Sequence, residues 1–181
     1  MTVNGLKTAF FVIVLIATIA TAFSLFTPGW RFFDWNGYNE GIVTNHFADY
    51  RQSFEKWVMA FMILALIFEV IVLILSVIGY AKLSNPGTYF TLTALTFLIG
   101  VFLVLAIIIY AAGYDDNPGV GYTNYNYNVG PVGVGVAGFG AFTTFSLGYS
   151  FWLAAVALIL IAIAFIVGIV TAIRVKREVV C

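Results

Sequence analysis

Charge is scarce in this sequence. Of 181 residues only 9% are Asp, Glu, Lys or Arg, whereas a soluble domain of ordinary composition carries about 25%. A chain so short of charge cannot cover itself against water, and with 62% hydrophobic residues and a mean hydropathy of +1.04 it reads as a membrane protein. Eight basic residues balance eight acidic ones. With no Lys/Arg run, the basic footprint of a nucleic-acid binder is missing. The single cysteine, Cys181, excludes an intrachain disulfide and a Cys-based metal site. The single histidine, His46, has no partner ligands for a metal and reads as a solvated loop residue rather than a pH sensor. No Ser/His/Asp set, paired intramembrane Asp, HExxH zinc motif or phosphate loop is present. The expectation is therefore no enzyme, no catalytic residue, no cofactor and no metal. An Asn-X-Ser/Thr sequon is also missing, so N-glycosylation is not expected.

What the sequence does have is long apolar runs. Crossing the hydrocarbon core takes roughly 20 apolar residues, and four such runs stand out: 6–26, 58–80, 89–112 and 151–173. Each must be a helix, because a lone segment in lipid has to satisfy its own backbone hydrogen bonds. The expected fold is an all-α membrane protein, a left-handed four-helix transmembrane bundle forming one tetraspan domain over 1–181. Outer loops lie at 27–57 and 113–150, and a tail at 174–181. Asn85-Pro86-Gly87 marks a short turn that makes the second and third spans antiparallel neighbours. Ala20-Thr21-Ala22 would suit a signal-peptidase site, but the length of the first apolar run favours an uncleaved span.

The distribution of cations sets the orientation. With both termini cytoplasmic, the inner side holds Lys7, Lys82, Arg174, Lys176 and Arg177 against Glu178. The outer side then holds Arg31, Arg51 and Lys56 against Asp34, Glu40, Asp49, Glu55, Asp115 and Asp116. Both termini inside, in a multi-pass protein of the plasma membrane, is the reading that fits.

Within the spans, Glu69 is the one acid. A carboxyl group there must face the bundle, and the expected state is neutral and hydrogen-bonded to a threonine such as Thr18, Thr21 or Thr96 on a neighbouring helix. A relay would need a second intramembrane acid, and an autonomous pore a polar stripe. Ala17, Ala20 and Thr21 in the first span and Ala154, Ala157 and Ala164 in the fourth have the spacing of close helix packing inside the bundle. Arg174, Lys176 and Arg177 read as anchors to anionic lipid. Cys181 is a candidate for palmitoylation or, after Val179 and Val180, for a terminal ligand of a PDZ-type domain.

The outer loops hold the expected recognition surface. The first opens with Thr27-Pro28-Gly29-Trp30-Arg31-Phe32-Phe33; a Trp at this level also suits the interfacial aromatic belt. In the second, residues 122–128 are rich in Tyr and Asn, residue types that paratope-like surfaces use. Val132, Val134 and Val136 alternate there with Gly133 and Gly135, a strand pattern with one face stripped of side chains. The alternative is an elastin-like flexible tract, against which the density of Phe139, Phe142 and Phe145 argues.

These residues bring a family into view. Four spans, a loop opening with Pro28-Gly29-Trp30-Arg31, and then Glu40-Gly41-Ile42-Val43-Thr44-Asn45 resemble the claudin superfamily of claudins and epithelial membrane proteins, including the nematode Clc-like group. The entry to the fourth span, Gly148-Tyr149-Ser150-Phe151-Trp152, is similar to that of calcium-channel gamma subunits and the stargazin-type receptor regulators. Two departures are plain: Val43 replaces the Trp of the family's Gly-Leu-Trp box, and His46 stands where the first loop cysteine falls, which removes the disulfide staple. The resemblance implies a small extracellular antiparallel sheet from the two outer loops, with strands from the 30–34, 41–46 and 132–136 regions. It implies a claudin-like protein of cell junction or adhesion, associating laterally or across cells with itself or tetraspan relatives. The alternative is an accessory subunit of a larger channel or receptor. The expected partner-binding residues are Trp30, Arg31, Gly41, Ile42, Val132, Val134, Val136, Phe139, Phe142, Phe151 and Trp152.

Overall fold

The computed structural model describes residues 3–33, 38–43, 53–81, 86–115 and 145–180. Four helices account for most of them: α1 (Val3–Phe26), α2 (Ser53–Ala81), α3 (Pro86–Asp115) and α4 (Tyr149–Val180). All four are long and apolar enough to cross a membrane. The shortest, α1 with 24 residues, extends for about 36 Å, more than the roughly 30 Å of hydrocarbon in a bilayer. Each helix outruns its expected span, because the backbone ladder continues past the last apolar residue. The extension is greatest in α4, where Arg174–Val180 is helical rather than a loose tail. Lys and Arg are good helix formers, and cations are favoured at a helix C-terminus.

The chain runs up and down. Ser24 near the end of α1 bonds to Ser150 at the start of α4, while Gly168 late in α4 packs on Phe10 early in α1. The most extensive packing is of α1 with α4, α2 with α3, and α3 with α4. The start of α1 and the end of α4 therefore lie at one end of the bundle.

Which face of each helix turns inward follows a strict repeat. Beside Leu6, Leu25, Glu55, Thr93, Phe151 and Ala172, which are buried next to it, the buried positions that form the repeat are Val3, Lys7, Phe10, Val14, Ala17, Thr21 and Ser24 in α1, and Val58, Met62, Ala65, Glu69, Val72 and Ser76 in α2. They continue with Tyr89, Leu92, Thr96, Ile99, Leu103, Ala106 and Tyr110 in α3, and Ser150, Ala154, Ala157, Ile161, Ala164, Thr171 and Val175 in α4. Alternating steps of three and four residues, with Gly168 filling the place between Ala164 and Thr171, make a 3.5-residue period, the pattern of a left-handed supercoil. In lipid, apolar area does not drive helices together, so close packing around small residues and interhelical hydrogen bonds must do so. The outward faces carry Ile16, Ile19, Phe23, Ile67, Ile74, Phe97, Ile108, Ile159 and Ile166, a surface that water would not tolerate but acyl chains match.

At the end opposite the termini sits a three-stranded antiparallel sheet: β1 (Arg31–Phe33), β2 (Tyr38–Glu40) and β3 (Phe145–Leu147), in the order β2-β1-β3. Arg31 pairs with Glu40 on one side and Leu147 on the other. The first strand is where the sequence placed it. The second precedes the expected 41–46 segment, of which Gly41–Val43 is bent rather than extended and 44–46 lie outside the described residues. The third comes from Phe145–Leu147, a short alternation closed by Gly148, whereas the 132–136 segment lies outside the described residues.

Candidate functional site

The sheet is mounted on the bundle by a hub around Trp30. Proline cannot donate a backbone hydrogen bond, and helix α1 stops two residues before Pro28. The chain then turns, with the Gly29 amide donating to the Thr27 carbonyl at 3.0 Å. This turns the Trp30 side chain inward, where it is 1% exposed. Its indole N–H donates to the Ser24 carbonyl at 2.6 Å. Its ring meets Tyr110 edge-to-face at 4.8 Å and Phe151 at 6.1 Å, an arrangement that aromatic quadrupoles favour.

The Trp30 carbonyl accepts two bonds, from the Tyr110 hydroxyl and from the Gly148 amide, both at 3.1 Å. Ser150 completes the clasp: its amide donates to the Gly29 carbonyl at 2.7 Å, its carbonyl accepts from the Ser24 hydroxyl at 2.7 Å, and its hydroxyl lies 2.8 Å from that of Thr27. Two glycines make this approach possible. A Cβ on Gly148 would fall on the Gly29 carbonyl, and one on Gly29 would enter the Tyr149 ring.

The second mount is electrostatic. Arg31, the first residue of β1, donates to Glu55 in the first turn of α2 at 2.6 Å, and both side chains are about one-tenth exposed. Phe54, beside Glu55, packs on Tyr110 at 6.0 Å and occupies the space where Gly113 carries no side chain. The sheet is thus tied to α1, α2, α3 and α4 together.

The structure divides the residues expected at a partner surface. Trp30, Arg31, Gly41, Ile42 and Phe151 are buried within the chain itself, so their side chains support the sheet rather than present a face. Trp152 does face outward, 60% exposed, as does Trp57 on α2. Val132, Val134, Val136, Phe139 and Phe142 lie outside the described residues, as do His46 and Cys181. Arg174, Lys176 and Arg177 stand exposed on the last turns of α4. The Arg31–Glu55 pair was missed in the sequence; no local spacing signals two charges 24 positions apart.

Glu69 is fully buried in the seam, and the Thr21 hydroxyl donates to its Oε1 at 2.9 Å. Thr21 is one of the three threonines expected there. The other two, Thr18 and Thr96, bond back to the carbonyls of Val14 and Leu92 on their own helices. Nothing in this cluster resembles a reactive pair. Its chemistry is that of one interhelical hydrogen bond.

A search of curated proteins gives no match to this chain. Residues 1–178 match the family described as tight junction protein, claudin-like. That match spans both loops and all four helices, and it agrees with a short sheet clasped to a four-helix membrane bundle; the chain belongs to the claudin-like tight junction family.

Proposed function

We propose that this protein is a junction or adhesion component of the plasma membrane that acts by binding and not by catalysis, with both termini cytoplasmic and the sheet outside the cell. The observation that carries this reading is the mounting of the sheet on all four helices, with β2 and β3 as its edges among the described residues. An edge strand offers a row of backbone donors and acceptors to which another chain can pair. A sheet so fixed offers that edge in one orientation. Without a disulfide, the Trp30 hub and the Arg31–Glu55 pair supply the rigidity. The partner classes are a second copy of the chain or a tetraspan relative, meeting laterally or across cells. The 122–142 stretch of the second loop supplies contact side chains, Val132, Val134, Val136, Phe139 and Phe142 among them. At the other end, Cys181 is a site for palmitoylation or PDZ binding.

The second reading, an accessory subunit of a channel or receptor, draws on Trp152 and on the apolar cleft of about 330 Å³ between α3 and α4, floored by Gly100. Affinity purification of the tagged protein from its own membranes in mild detergent separates the two. Recovery of a second copy or of tetraspan relatives, lost on deletion of residues 132–142, is the expected result. Recovery of a pore-forming or receptor subunit at near-equal amounts would replace it with the accessory role, and Trp152 would then be the first residue to mutate.

A further inference from the structure

We infer that the cavity between α1, α2 and α3, at the end where α1 begins and α4 ends, is a binding site for a sterol. The cavity holds about 410 Å³, within the range of roughly 300–1,000 Å³ that small-molecule sites occupy. Phe10, Phe11 and Val77 form its apolar walls, and Thr8 and Ser76 bring hydroxyl groups to it. Val77 is 56% exposed on the outward side of α2, so the cavity opens toward lipid. Thr8 lies near the start of the first apolar run and Ser76 near the end of the second. The two hydroxyls therefore stand just inside the boundary between headgroups and hydrocarbon, the depth at which a sterol in a bilayer carries its own hydroxyl.

Hydrogen bonding at the cavity selects among lipids. Thr8 donates its hydroxyl proton to the Asn4 carbonyl at 3.0 Å, and Ser76 donates to the Val72 carbonyl at 2.7 Å. Both protons are taken up within their own helices, and what each oxygen still offers is lone pairs. Lys7, the charged residue of the lining, is engaged within the chain, by the Tyr89 ring 5.3 Å from its ammonium among other interactions. The cavity thus asks for no counter-ion; it suits a neutral molecule that donates one hydrogen bond and is otherwise apolar. The phosphate that anionic and zwitterionic phospholipids share brings acceptors alone and leaves the two hydroxyl oxygens unanswered. A diacylglycerol has a hydroxyl, but its ester carbonyls would lie against Phe10, Phe11 and Val77 without donors, and burying unpaired polar groups is costly. A sterol carries a single hydroxyl on a rigid hydrocarbon frame, which loses little conformational freedom on binding.

The test is binding of tritiated cholesterol to the purified full-length protein in sterol-free detergent micelles, with unlabelled cholesterol, cholestenone and dioleoylglycerol as competitors. Cholestenone has a ketone in place of the hydroxyl, so it accepts hydrogen bonds and donates none. It is expected to compete about fivefold less well than cholesterol, the effect of one hydrogen bond, and dioleoylglycerol less well still. Val77→Trp, at the mouth of the cavity, should abolish binding. Thr8→Val joined to Ser76→Ala should bring cholesterol down to the level of cholestenone. Val101→Trp, which fills the apolar cleft between α3 and α4 instead, should change nothing. No cholesterol binding, equal competition by cholesterol and cholestenone, stronger competition by dioleoylglycerol, or binding lost in Val101→Trp but kept in Val77→Trp would each overturn the site. If the Thr8→Val, Ser76→Ala protein fails to fold, the wild-type competition and the two single variants still decide the matter. Micelles offer the sterol to both ends of the bundle, so the result does not depend on the orientation or the junction role proposed above.

Discussion

Arg31 and Glu55 show how much can rest on two side chains. A buried ion pair adds little over a well-packed apolar pair, but breaking one leaves a stranded charge and costs about 3–5 kcal/mol. Arg31→Ala should therefore lower the thermal midpoint of the detergent-solubilised protein sharply, whereas Arg31→Met combined with Glu55→Leu should recover most of the loss. An additive double mutant would mean that the 2.6 Å contact carries no coupling. Glu69 is the contrasting case. Glu69→Gln keeps an oxygen to accept from Thr21, so stability should stay within about 1 kcal/mol of wild type and association should be unchanged. A large loss of association without a change in stability would instead require an ionised Glu69.

For the helices, the critical quantity is rotational register. One alanine inserted between Ala65 and Glu69 turns everything after it by about 100°, moving Glu69, Val72 and Ser76 out of the seam and toward lipid. Expression of folded protein, read as a monodisperse peak in detergent, should collapse, while the same insertion after Val175, beyond the packed seam, should be tolerated. The four spans were legible in the sequence because bilayer thickness fixes a length that few other constraints demand. The inward face was harder to read: a helix between protein and lipid is apolar all round, so hydrophobic periodicity says little. The usable signal was small and polar residues, and it located Ala17, Thr21, Ala154, Ala157 and Ala164 in the buried seam, whereas Ala20 is only partly buried beside it. Strand β3 escaped notice because an alternation of three residues, Phe145–Leu147, is too short to stand out, and the Val-Gly alternation at 132–136 drew attention away from it. Trp30 looked like a belt or contact residue because a helix-end aromatic reads the same whether it is buried under a sheet or set in an interface.

The whole molecule has two unlike ends, and its orientation is open to direct chemistry. Cys181 is the only native thiol, so Cys181→Ser gives a silent background. Ser146→Cys on the exposed face of β3 should then react with a membrane-impermeant maleimide on intact cells. In a separate protein retaining only Cys181, any labelling should wait until the cells are permeabilised. The opposite order would invert the orientation. The joints between sheet and bundle have a mechanical meaning as well. One residue, Gly148, separates β3 from α4, and only Thr27–Trp30 separate α1 from β1. There is no slack at either joint. A pull on the sheet from a neighbouring surface would therefore load α1 and α4 at once, along their lengths, and the force would reach the far ends of these helices with almost no elastic element between.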